Sequence, residues 1–145
     1  MTTPIFAYKG TGKTFYASKY PDTARDMAQG ESQAFSEFVA EVIAEIGSGA
    51  HKYAFLPCDL ALKRELLQKN IAFVVVMPGG KLSDWVRRWL EAGDSARAIS
   101  ERVTFYKQTV QDFRDDPVIY LDGASEEWLG NVLQKYSGTA VTKDE

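Results

Sequence analysis

Near the amino end of the chain, four residues are spaced as phosphate chemistry requires. Gly10, Gly12, Lys13 and Thr14 fall in the segment Ala7-Tyr8-Lys9-Gly10-Thr11-Gly12-Lys13-Thr14, after the apolar run Ile5-Phe6-Ala7 and before a helix-compatible stretch. The pattern is A-x-x-x-x-G-K-T, with alanine where a phosphate-binding loop ordinarily opens on glycine. Glycines at 10 and 12 let backbone N–H groups turn inward around an anion with no Cβ in the way. A helix starting near Gly12 would aim its positive end at the same anion. Lys13 can reach the outer phosphates as a point charge, and the Thr14 hydroxyl can sit on Mg2+. Residues Lys9 to Thr14 are therefore the expected phosphate-binding set. Ala7 is the smallest departure from the pattern and falls at the strand end rather than against the phosphates.

Other candidates surround this loop in sequence. Asp26, with Glu31 and Ser32 after it, lies in a polar segment behind the first helix. Asp26 could hold Mg2+ through water or orient an acceptor hydroxyl, with Glu31 as an alternative; a solvated loop is the plainer reading. Asp59 follows a short apolar run, where an acidic residue could hold Mg2+ or simply cap the next helix. Cys58 beside it reads as a small packed residue, since no basic partner is identifiable. Arg87, Arg88, Arg97 and Arg102 fall on two successive helices joined at Glu91-Ala92-Gly93-Asp94. A basic helical hairpin could neutralise a transferring phosphoryl group with forked donors, and Arg88 is the residue expected to do so. Trp85 and Trp89, four apart, read as packing for that hairpin, with stacking on a base as the alternative. One His and one Cys support no zinc site.

The elements that must position these residues alternate. Strands are expected at 4–8, 53–56, 71–76 and 118–121, with a short one near Thr23–Met27. Helices are expected at 12–19, 33–46, 60–69, 82–92, from Asp94 or Ser95 to about Phe113, and 125–136. Phe35, Phe38, Val39, Val42, Ile43 and Ile46 carry the helical period, whereas Ile71-Ala72-Phe73-Val74-Val75-Val76 is the continuous apolar run of a strand buried on both faces. Pro78-Gly79-Gly80 is expected to break that strand. Alternation of this kind predicts a three-layer α/β fold, a mostly parallel sheet of about five strands with helices on both faces and a helical lid at about 79–115. Ligands bind at the carboxyl ends of such strands, where the loop lies.

Composition narrows the class. The chain has 145 residues, 45% apolar and 26% charged, which suits one domain over residues 1–136 and a flexible tail at 137–145. A net charge of −3 gives no basic track for nucleic acid. One cysteine fits a reducing, cytoplasmic setting, no apolar run nears the ~20 residues of a membrane span, and no signal architecture is visible at the amino end. Oligomeric state is left open.

With the loop, the strand order and the basic hairpin in hand, the chain resembles the small phosphate-loop nucleotide kinases. It is most similar to compact adenylate-kinase-like proteins of bacteriophages, the nucleoside and deoxynucleoside monophosphate kinase-like group. Three stretches carry the resemblance: Gly10–Thr14 with Ala17-Ser18-Lys19-Tyr20-Pro21, then Tyr53-Ala54-Phe55-Leu56-Pro57, then Ile71–Pro78 with Leu82 and the helix from Trp85 to Gly93. The resemblance covers about residues 4–122 and implies ATP and Mg2+ at Gly10–Thr14, a lid arginine at Arg88, and a host-cell cytoplasmic location if the chain is phage-encoded. It implies phosphoryl transfer to a small acceptor, a nucleoside or deoxynucleoside monophosphate, with Lys13, Arg88, Asp26 and Asp59 as catalytic residues and Thr14 and Asp59 at the metal. The chain departs from the pattern at Ala7, at Ala92, where similar lids often carry a second arginine, and around Asp26–Phe35, which lacks an Asp-rich run. The thin acceptor region keeps one alternative, a catalytically reduced nucleotide-binding protein that acts through a partner. A third reading is a polynucleotide 5′-hydroxyl kinase, against which the acidic balance argues.

Overall fold

A computed structural model describes residues 1–124 and 128–133. The sheet is built from β1 (Thr3–Ala7), β2 (Ala24–Asp26), β3 (Tyr53–Leu56), β4 (Val74–Gly79) and β5 (Val118–Asp122). The helices are α1 (Lys13–Lys19), α2 (Phe35–Ser48), α3 (Leu60–Gln68), α4 (Leu82–Glu91) and α5 (Ala96–Asp112). Spatial order is β2-β3-β1-β4-β5, and every pairing is parallel. β1 is central, so the loop that leaves it opens in the middle of the carboxyl edge.

Period-two alternation divides the core between the two faces of the sheet. Phe6, Ala54, Leu56, Val75 and Met77 point to one face, which α2, α3 and the end of α5 cover through Phe38, Val42, Leu62, Leu66 and Phe113. Ile5, Ala7, Phe55, Val74 and Val76 point to the other, covered by Trp85 and Trp89 of α4, Ile99 of α5, and Leu129 and Val132. Strands apolar on both faces are what a parallel sheet between two helical layers demands.

One strand differs from expectation. β4 spans 74–79, not 71–76. Asn70 adopts φ 55 and Ile71 N–H donates to Leu66 O at 3.0 Å, so residues 70–73 are needed to leave α3 and reach the sheet. Pro78 then sits inside the strand instead of ending it. The last β1–β4 pair is Ala7 with Val76, so no β1 carbonyl remains to receive an N–H at position 78. The expected helix at 125–136 falls partly outside the described residues, of which 129–133 are helical; the expected tail at 137–145 lies wholly outside them. No helix among the described residues is long and apolar enough to cross a membrane.

Candidate functional site

The segment after β1 turns on its glycines. Gly10 and Gly12 have φ 85 and 101, conformations that residues with a Cβ rarely adopt. Gly10 is also crowded: a Cβ there would lie 2.4 Å from Trp89 Nε1. Thr11 is fully buried; its Oγ1 donates to Tyr8 O at 2.7 Å and its own carbonyl accepts from Leu129 N–H at 2.9 Å. Its backbone N–H also donates to Tyr8 O, at 3.3 Å, so side chain and backbone both hold the turn. Ala7 is buried in register with Val76, at the strand end.

Lys13 and Thr14 open α1, which buries none of its residues. Both line a cleft of about 950 Å³, together with Lys9, Gly10, Gly12 and Asp26. Burial pulls the Lys13 ammonium below the usual lysine range; Asp26 and Cys58 act against that shift and Lys9 adds to it. Asp26 ends β2, two strands from β1, and receives the Thr14 hydroxyl at 2.9 Å. A hydroxyl and a carboxylate side by side are oxygen donors of the kind a hard divalent cation takes, with water and phosphate oxygens completing its shell.

Other residues singled out by sequence stand elsewhere. Asp59 is the N-cap of α3, its Oδ1 accepting from Ala61 N–H at 2.8 Å and Leu62 N–H at 3.2 Å. It does not line the cleft, so its carboxylate serves the helix end and the geometry offers no metal role for it. Burial pushes the Cys58 thiol up to about 12, the neutral form of a packed side chain. Glu31 and Ser32 are exposed and away from the cleft wall.

The basic hairpin is divided. Arg87 and Arg97 make exposed pairs with Asp84 at 3.9 Å and Glu101 at 3.4 Å. Arg88 is 4% exposed: its guanidinium packs into the corner formed by the perpendicular rings of Trp85 and Trp128, 4.1 and 4.0 Å from their centroids, and its Nη1 reaches Asp122 O at 3.5 Å. It does not line the cleft, whereas Arg102 does. Trp89 bridges to the loop itself, its Nε1 donating to Gly10 O at 2.9 Å.

Sequence reasoning did not single out the cleft's other wall. Phe15 and Tyr20 are exposed at 73% and 41%, and Lys19 Nζ stands 6.0 and 5.6 Å from their ring centroids. Trp128 and Asn131 also line the cleft. The available signal was a short α1 with more aromatic residues than one core face can take: Tyr16 packs on the core, and Phe15 is left outside. Among the described residues no group of three His, Cys, Asp or Glu is placed to hold a metal, so the oxygen donors here are Thr14 and Asp26.

No family model and no curated protein matches this chain. Among solved structures it is similar to a gluconokinase from Sinorhizobium meliloti 1021, at 13% identity and a TM-score of 0.54, over 85% of this chain and 82% of that one. At that identity the likeness shows the fold. The chain has an α/β phosphate-loop NTPase-type fold, with five parallel strands and helices on both faces.

Proposed function

We propose that this chain binds Mg·ATP at Lys9–Thr14 and transfers the terminal phosphoryl group to a small acceptor held in the same cleft, a nucleoside or deoxynucleoside monophosphate. The observation that carries this reading is the convergence of Lys9, Gly10, Gly12, Lys13 and Thr14 on one cleft with Asp26 hydrogen-bonded to Thr14. The fold shared with a gluconokinase supports it. In such transfer the acceptor oxygen forms a bond to the terminal phosphorus as the bond to the bridging oxygen breaks, and ADP leaves with the electron pair. The protein's work is positioning and neutralising charge. Lys13 would meet the outer phosphates with an ammonium already stripped of much of its water, which strengthens each charge contact it makes. Backbone N–H groups around Gly10 and Gly12 would hold phosphate oxygens. Magnesium, when bound, neutralises phosphate charge, and the Thr14 hydroxyl and Asp26 carboxylate would hold it.

The acceptor reading is supported by the Phe15–Lys19–Tyr20 lip. Two exposed rings flanking an ammonium suit a ligand with a planar ring and an anionic group. The test is a coupled ADP-release screen over nucleoside and deoxynucleoside monophosphates, with gluconate and a 5′-hydroxyl oligonucleotide as competing acceptors and Lys13→Ala as control. Monophosphate-dependent ADP formation that disappears in Lys13→Ala is the expected result. Turnover with gluconate or oligonucleotide alone would overturn the acceptor. ATP binding with no turnover on any acceptor would mark a binding protein rather than a kinase.

A further inference from the structure

Arg102 carries a set of contacts that packing alone does not explain. Arg102 lines the same cleft as Lys9 and Lys13, and its guanidinium lies against the loop, where a Cβ on Gly10 would come within 3.1 Å of its Nη1. Its backbone is tied to the same loop, since Tyr8 Oη donates to Arg102 O at 2.5 Å. One face of the guanidinium looks onto the Trp89 ring at 5.1 Å. Nη1 is engaged by Asp94 Oδ2 at 2.7 Å, yet Nε is buried with no hydrogen-bond partner. A buried donor left without an acceptor is costly. Here it belongs to a forked cation, the side chain whose geometry best matches phosphate oxygens.

Asp94 is the other half of the arrangement. It sits in the turn between α4 and α5, where Ser95, not Asp94, caps the helix. Its side chain is about a third exposed, against 15% for Arg102. A partly hydrated ion pair is weak, and an anion entering the cleft can displace it.

We propose that Arg102 is a third phosphate-binding cation of this site and that Asp94 is an internal competitor which occupies it until a nucleotide arrives. The proposal rests on the nucleotide reading above and adds a residue and a brake to it. By linkage, whatever free energy Asp94 gains from Arg102 in the empty site is subtracted from phosphate binding. The two members of this ion pair should therefore act in opposite directions on affinity, which a merely structural pair would not do.

The experiment is calorimetric titration of Mg·ATP into the full chain and its variants, with melting temperatures recorded without nucleotide. Arg102→Gln should weaken binding at least about tenfold, Arg102→Lys should restore part of the loss, and Asp94→Asn should tighten binding about two- to fivefold. In the Arg102→Gln background the gain from Asp94→Asn should vanish, since Asp94 acts through Arg102. Should Arg102→Gln fail to fold, Arg102→Lys and Asp94→Asn carry the test. Weakened binding in Asp94→Asn would mark a structural pair, and a gain that persists without Arg102 would mark a general field effect; either overturns the proposal. Loss of binding in Lys13→Ala with Arg102→Gln unchanged removes only Arg102. If the wild-type chain binds no ATP, the nucleotide reading falls and takes this proposal with it.

Discussion

Trp89 Nε1 donates to the carbonyl of Gly10 at 2.9 Å, joining residues 79 positions apart. The bond fixes α4 onto the phosphate loop, and the same indole occupies the space a Cβ on Gly10 would need. Loop conformation and hairpin position are thus one structural fact. Gly10→Ala should destabilise the fold well beyond Gly12→Ala. Both face the positive-φ penalty of about 1–2 kcal/mol, but only at Gly10 does a Cβ collide, since at Gly12 the nearest atom is Trp128 Cε3 at an ordinary 3.5 Å. Trp89→Phe removes the donor and also shrinks a fully buried indole to a smaller ring, and should cost about 2 kcal/mol or more. Denaturant unfolding of the three variants checks the order; equal losses in the two glycine variants would contradict it.

Lys13 should give nucleotide affinity a pH dependence displaced from that of a free lysine. Burial lowers its pKa in the folded chain, and phosphate binding requires the charged form. Affinity should therefore fall as pH rises through a value below the ordinary 10.5. For stability the sign is reversed. The unfolded chain holds the Lys13 proton more tightly, so between the lowered folded value and the ordinary one this group's contribution to stability rises with pH. Titrations of ATP across the alkaline range, with Lys13→Ala as the flat control, test the first statement, and urea melts test the second.

Arg88 packs into the corner of two perpendicular indoles and is almost fully buried. Arg88→Met should lower stability by about 2 kcal/mol or more, the scale of a desolvated cation–π contact. Trp128 should become more exposed, since its ring loses the plane it rests on. Thermal melting and tryptophan emission report both effects. An unchanged melting temperature would mean the stack contributes nothing.

Glu45 anchors the far end of the sheet, away from the cleft. Burial raises its pKa, but hydrogen bonds from Arg25 at 2.8 Å and His51 at 3.0 Å, with their charges, outweigh burial and leave it below the usual glutamate value. Its stabilisation is complete above that usual value and is lost as pH falls through the lowered one. Glu45→Gln should cost about 1–3 kcal/mol at neutral pH, and the gap to wild type should close under acid conditions. A gap independent of pH would rule out the ionised contact as its cause.

Much of this architecture could be read from residue order because its causes are local. The continuous apolar runs Ile5-Phe6-Ala7 and Tyr53–Leu56 and the Asp59 cap state their structure within a few positions. β4 is displaced because the departure from α3 at Asn70 and the end of β1 at Ala7 decide where Val74–Gly79 can pair, and neither is local. The phosphate loop was legible as a motif, together with the proximity of Asp26 to the first helix. The division of labour among the hairpin arginines was not. Arg88 and Arg102 look alike in sequence, and only the positions of Trp85, Trp128 and Gly10 in space bury one and turn the other into the cleft.

The central claim is that Gly10–Thr14 with Lys13 holds a triphosphate. Calorimetric titration of Mg·ATP into the wild-type chain and Lys13→Ala tests it most directly. Saturable one-site binding that weakens in the variant by about 1.5–3 kcal/mol, the worth of a charge-assisted contact, is the expected result. Equal affinity in the two proteins, or no binding in either, would contradict it.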